Sequence, residues 1–160
     1  MKNEIIALIP MIRRFAYSLT GNHHDADDLL QNTIERILTK GVPEDVELTK
    51  WMFRVCRNLW IDEYRSRQVR QAATQSPELH EQAVQGEQEQ TQKLRVREVN
   101  QAMSVLPTDQ RSILSLVAIQ GMSYKEVSET LSIPIGTVMS RLARARSSLS
   151  QCLPFQGVES

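Results

Sequence analysis

Residues 121–149, GMSYKEVSETLSIPIGTVMSRLARARSSL, constrain this chain more tightly than any other stretch. Ser123 followed three positions later by Glu126 is a capping box, in which each side chain satisfies a free backbone N–H of the other. Tyr124, Val127 and Leu131 recur at helical spacing and form an inward stripe. Ser132-Ile133-Pro134 ends that run, because Pro134 has no N–H to donate and fits only the first turn of a new helix. A second helix is expected from Ile135 to about Leu149, with Val138, Leu142, Ala145 and Leu149 buried. Thr137, Ser140, Arg141, Arg144 and Ser148 fall on another face, with Arg146 on its flank, and no acid occurs from Leu131 through Gln151. A short amphipathic helix, a turn, and a helix with a hydroxyl-and-arginine outer face make the pattern of a helix-turn-helix. The same residues also fit a helical hairpin with a solvated basic face. The turn chemistry and the one-sidedness of the face favour the first reading.

The N-terminal half repeats the helical period. Ile5, Leu8, Ile12, Phe15, Ala16 and Leu19 form one stripe, Pro10 kinks that segment or starts its main helix, and Gly21 suits a left-handed C-terminal cap. His23-His24-Asp25-Ala26-Asp27-Asp28 follows. These side chains invite a metal reading, but their spacing matches no ligand motif, and acids in a first turn complement the helix dipole and cap N–H groups. Leu30, Ile34, Ile37 and Leu38 are the expected inner face of this second helix, and residues 41–45 a loop.

A third helix is expected from Leu48 to about Arg67. Lys50, Arg54, Arg57 and Arg65 cluster on one side of it, Leu48, Met52, Val55 and Leu59 lie opposite, and Asn58 edges the basic side. Trp51, Trp60 and Tyr64 are interleaved. Two readings stand: a surface for single-stranded nucleic acid, where bases stack on aromatics and phosphates meet cations, or core aromatics beside solvated arginines.

Residues 68–92 hold eight glutamines and few strong apolar side chains, the composition of a flexible or marginally helical linker. The chain therefore divides into residues 1–70, a linker over 71–95, and residues 96–153. The two domains are expected to fold independently and to move freely. Apolar spacing resumes at Val96, Val99, Ala102, Met103 and Leu106, and Pro107 opens a helix with Ile113, Leu114 and Val117 inward. No strand-like alternation is visible, so the fold class is all-α.

Nineteen basic and nineteen acidic residues leave no net charge, which argues against strong autonomous DNA binding and for local patches or a partner. No run of eighteen apolar residues occurs, so no membrane insertion is expected. Glu4, Arg13 and Arg14 break up the N-terminal apolar stretch, which does not read as a signal peptide. Cys56 and Cys152 are isolated and read as reduced intracellular thiols.

Two blocks, FAYSLTGNHHDADDLLQNTIERI with WMFRVCRNLWIDEYR, and LPTDQRSILSLVAIQGMSYKEVSETLSIPIGTVMSRLARARSSL, together resemble an extracytoplasmic-function (group IV) sigma factor of bacterial RNA polymerase. The likeness covers nearly the whole chain except the linker and tail, and three motifs occur in the family's order. It implies that residues 1–70 are sigma domain 2 and residues 96–153 sigma domain 4. Asp25, Asp28, Leu29 and Gln31 would then dock on core polymerase. Lys50, Trp51, Arg54, Arg57, Asn58 and Arg65 would hold the −10 element, and Thr137, Ser140, Arg141 and Arg144 would read the −35 element. The loop from about Lys40 to Thr49 matches the one that captures an extruded base. Partners implied are the polymerase clamp and flap, promoter DNA and an anti-sigma factor. The location implied is the cytoplasm, and the setting a stress response. No cofactor, metal or catalytic residue is implied, since polymerase makes the RNA. Ile34 departs from the phenylalanine of many members, and the loop GVPEDVELT carries no signature. The competing readings are a stand-alone helix-turn-helix regulator, which leaves the basic aromatic helix unexplained, and a metal enzyme built on His23, His24, Asp25 and Asp28, which lacks converging ligands.

Overall fold

The computed structural model describes residues 2–74 and 100–152, and every regular element among them is helical. α1 spans Lys2–Thr20, α2 His23–Lys40 and α3 Leu48–Thr74. Residues 100–103 are helical, and α4 (Thr108–Ala118), α5 (Tyr124–Leu131) and α6 (Ile135–Cys152) follow.

α1 continues through Pro10 rather than starting there. Pro10 lies on the exposed side, where water can serve the carbonyl that its missing N–H leaves free. Gly21, at φ +80, closes α1 by donating its N–H to the Tyr17 carbonyl at 2.8 Å. Asn22 then caps α2, its Oδ1 accepting from the Asp25 N–H at 2.8 Å. So short a connection makes α1 and α2 antiparallel neighbours. α3 packs on both, and Phe15 meets Phe53 edge-on at 5.0 Å between ring centres.

Two expectations shift here. Leu38 is 51% exposed, and the inner stripe of α2 passes instead through Thr33, which is fully buried. Its hydroxyl donates to the Leu29 carbonyl at 2.8 Å, which satisfies the buried polar group within the helix. α3 also continues past Arg67 to Thr74, and so takes in the first four residues of the expected linker. Residues 75–95 of that linker, and 96–99 of the domain after it, lie outside the described residues.

The helix-turn-helix forms as its residues dictate. The Ser123 N–H donates to Glu126 Oε1 at 2.9 Å, and the Glu126 N–H donates to Ser123 Oγ at 3.1 Å. Ser132 ends α5 in the left-handed region at φ 59. The Pro134 carbonyl accepts from the N–H groups of Thr137 and Val138, starting α6.

The two halves pack against each other. A single hydrophobic core runs from Ile5 on α1 to Ala145 on α6. α4 packs on α1, and α5 on α3. Polar contacts line the seam: Ser18 shares a hydrogen bond with Ser115, Arg111 Nε donates to the Ser18 carbonyl at 2.7 Å, and Asn100 donates to the Tyr17 hydroxyl at 2.9 Å. The cause is the second face of α4, where Ser112 and Ser115 are fully buried and small enough to let another helix approach.

Candidate nucleic-acid interface

The α3 cations lie together on one side, as their spacing requires, and three of them face the C-terminal half. Lys50 Nζ donates to Glu129 Oε1 at 2.8 Å. Arg54 donates from Nε to the Thr130 carbonyl at 2.9 Å and from Nη2 to the Glu129 carbonyl at 3.3 Å. Arg57 Nε donates to Ser112 Oγ at 3.1 Å. Burial lowers the Arg57 pKa, Asp109 opposes that shift and the like charge of Arg141 adds to it. The hydrogen bond to Glu129 raises the Lys50 pKa and lowers that of Glu129. Asn58 and Arg65 remain exposed.

The aromatics divide between the two readings. Trp60 is 6% exposed and belongs to the core, with the Arg67 guanidinium 5.2 Å from its ring centre. Trp51 is half-buried under Arg54, whose guanidinium carbon lies 5.0 Å from its ring centre. Tyr64 is exposed.

On α6, Val138, Leu142 and Ala145 are buried as expected, whereas Ser140 and Arg144 are exposed. Thr137 is half-buried, and Arg141 Nη1 lies 3.5 Å from Asp109 Oδ2. Arg57, Asp109 and Arg141 line one groove of about 590 Å³ between the halves, so a cation from each expected promoter face flanks the same acid.

The four α2 residues also separate. Asp28 and Gln31 are exposed, but Leu29 is a core residue at 4%. Asp25 accepts two hydrogen bonds from Arg67, at 2.9 and 3.0 Å, and this contact holds its carboxyl below the usual range. His23 stacks on Tyr17 and His24 lies 3.7 Å from Asp28. Among the described residues, no three His, Cys, Asp or Glu side chains gather as metal ligands.

Glu129, Asp109, Arg111 and Ser112 escaped the sequence reading. Glu129 left one clue: it and Glu126 are the only acids of the helix-turn-helix, and Glu126 is used as a cap.

The Sigma-70 region 2 family pattern matches residues 5–70, and that of Sigma-70 region 4 matches residues 97–149. The ECF RNA polymerase sigma factor EcfG of Rhodopseudomonas palustris is 35% identical over 161 residues, spanning 99% of this chain and 88% of that protein. This chain belongs to the extracytoplasmic-function sigma factors. SigM of Bacillus subtilis is 34% identical over 142 residues, covering 86% of this chain and 85% of its own. The sigma factor RpoE of Bartonella quintana, solved with the anti-sigma factor NepR, superposes with a TM-score of 0.76 at 28% identity, covering 94% of each chain. The sigma factor is thus a promoter-recognition subunit of RNA polymerase. None of its described helices is long and apolar enough to cross a membrane.

Proposed function

We propose that residues 1–70 form the domain that docks on core polymerase and opens the −10 element, and that residues 96–153 form the domain that reads the −35 element, with 71–95 linking them. Lys50, Arg54, Arg57 and Arg65 neutralise phosphates of the displaced strand, with Trp51 and Asn58 beside them for its bases. Thr137, Ser140, Arg141 and Arg144 meet the −35 duplex. Asp28 and Gln31 make the polymerase contact, while Asp25 and Leu29 hold their helix in place. The protein catalyses nothing itself and acts in the cytoplasm. An anti-sigma factor restrains it, as one binds the Bartonella relative, and a stress signal releases it.

The observation that carries this reading is the pair of cationic faces on α3 and α6, one in each half, within a chain of no net charge. Such a chain gains DNA affinity only once polymerase holds both faces on the promoter. Run-off transcription with core polymerase on genomic DNA tests it. Discrete starts that require the protein are expected. Their absence, or tight duplex binding without polymerase, overturns the reading.

A further inference from the structure

The outer face of α6 has two flanks. One carries Thr137 and Arg141, and Arg141 is engaged with Asp109. The other carries Ile135 and Met139, four residues apart, at 46% and 51% exposure, with exposed Ala143 one turn beyond Met139. Among the described residues this apolar surface lies outside the core, because the inward needs of α6 are met by Val138, Leu142 and Ala145, each at most 1% exposed. Single exposed apolar residues are ordinary on a surface. These lie in the first turns of the second helix of a helix-turn-helix, the part whose side chains reach base edges. In the major groove the apolar feature of a base pair is the thymine C5-methyl, and an aliphatic side chain is its natural contact.

We propose that Met139, flanked by Ile135 and Ala143, reads the C5-methyl of a thymine in the −35 element and so determines part of the promoter preference. This rests on α6 being the −35 helix. The flexible thioether chain adapts to the methyl's position, as methionine does in irregular apolar gaps. The hydroxyls and guanidiniums of the outer face make the polar contacts, and the Met139 flank selects an A·T pair that hydrogen bonding alone leaves unread.

The test uses holoenzyme and a promoter mapped by run-off transcription. Each −35 thymine, on either strand, is replaced singly by deoxyuridine, which removes only the methyl. Wild-type holoenzyme should bind about fourfold more weakly at one such position, the ~0.8 kcal/mol of one buried methyl at 1.4 kcal/mol per tenfold. Met139→Ala should lose discrimination at that position alone, and Met139→Leu should keep it. Equal thymine-to-deoxyuridine ratios for wild type and Met139→Ala at every position overturn the proposal, as does a −35 element without an A·T pair. If no −35 substitution of any kind alters wild-type binding, the assignment of α6 itself fails instead.

Discussion

Asp25 and Asp28 sit one turn apart on α2 and do different work. Asp25 has a side chain only 14% exposed and receives both nitrogens of an Arg67 guanidinium that also lies against Trp60. Asp28 has a side chain 62% exposed. Asp28→Arg should weaken core polymerase binding about tenfold, ~1.4 kcal/mol, with the thermal midpoint unmoved; native affinity for core in a binding titration would remove this helix from the docking surface. Asp25→Asn should instead cost about 1 kcal/mol, the upper end for an ion pair that solvent reaches. That lowers the midpoint by about 2–4 °C for a chain of this size. Its pH dependence has a definite sign. Arg67 holds the folded-state pKa of Asp25 below its ordinary 3.8, so the carboxylate's contribution is complete above that value and is lost as pH falls through the folded pKa. Wild type and Asp25→Asn should therefore converge once pH has fallen through the folded pKa, and a midpoint gap that does not narrow as pH falls below 3.8 would show that the charge is not what Asp25 contributes. The sequence placed both acids near the start of one helix. It could not say which one turns inward, because the partner of Asp25 is 42 residues away.

At the scale of elements, what is encoded within a few residues was legible and what depends on distant contacts was not. The capping box of α5 and the break at Ser132-Ile133-Pro134 are interactions over three to five positions, and both form as read. Ser123→Ala removes an acceptor from a helix of only eight residues and should cost about 1 kcal/mol, visible as a midpoint lowered by about 2–4 °C. The end of α3 was misjudged because Gln71, Ala72 and Ala73 look like linker by composition, yet alanine and glutamine are good helix formers. On α6 the stripe of Val138, Leu142 and Ala145 follows from the period alone, which also fixes the outward positions. In the proposed −35 placement, Arg141 is nearer the N-terminal end of α6 and takes a base edge, and Arg144, a turn further on, takes a phosphate. Arg141→Ala should relax the −35 preference by ~1–3 kcal/mol at one guanine. Arg144→Ala should weaken every promoter alike and shallow the salt dependence. Holoenzyme binding to a −35 substitution series at several salt concentrations separates them, and reversed behaviour would mean that the helix is rotated from this placement.

At the scale of the whole molecule, zero net charge pointed to local patches but not to their mutual engagement. The sequence reading of α4 names only Ile113, Leu114 and Val117 as inward, and the burial of Arg111, Ser112 and Ser115 follows only from α4 being covered on two faces. Burial lowers the Arg111 pKa to about 10, and the guanidinium stays charged at neutral pH with its Nε on the Ser18 carbonyl. The consequence for promoter binding is specific: Lys50, Arg54 and Arg57, the cations proposed for the −10 strand, are bound to α5 and α4 in this arrangement. Glu129 is central, since its carboxylate takes Lys50 and its carbonyl takes Arg54. Glu129→Lys places two cations together where an ion pair stood, and should open the molecule. The carboxylate is partly exposed, so salt should weaken the same contact in wild type. Small-angle scattering should show a larger radius of gyration for Glu129→Lys than for wild type. Amide exchange should quicken on the buried face of α4 around Ser112 and Ser115. The reciprocal pair Lys50→Glu with Glu129→Lys restores opposite charges and should restore compactness, which a general loss of folding would not. Arg54 still has carbonyl partners in every variant, so the expected opening is partial. If Glu129→Lys leaves both the radius and the exchange of α4 at wild-type values, the seam is held by its apolar contacts and this ion pair has no part in keeping the −10 face covered.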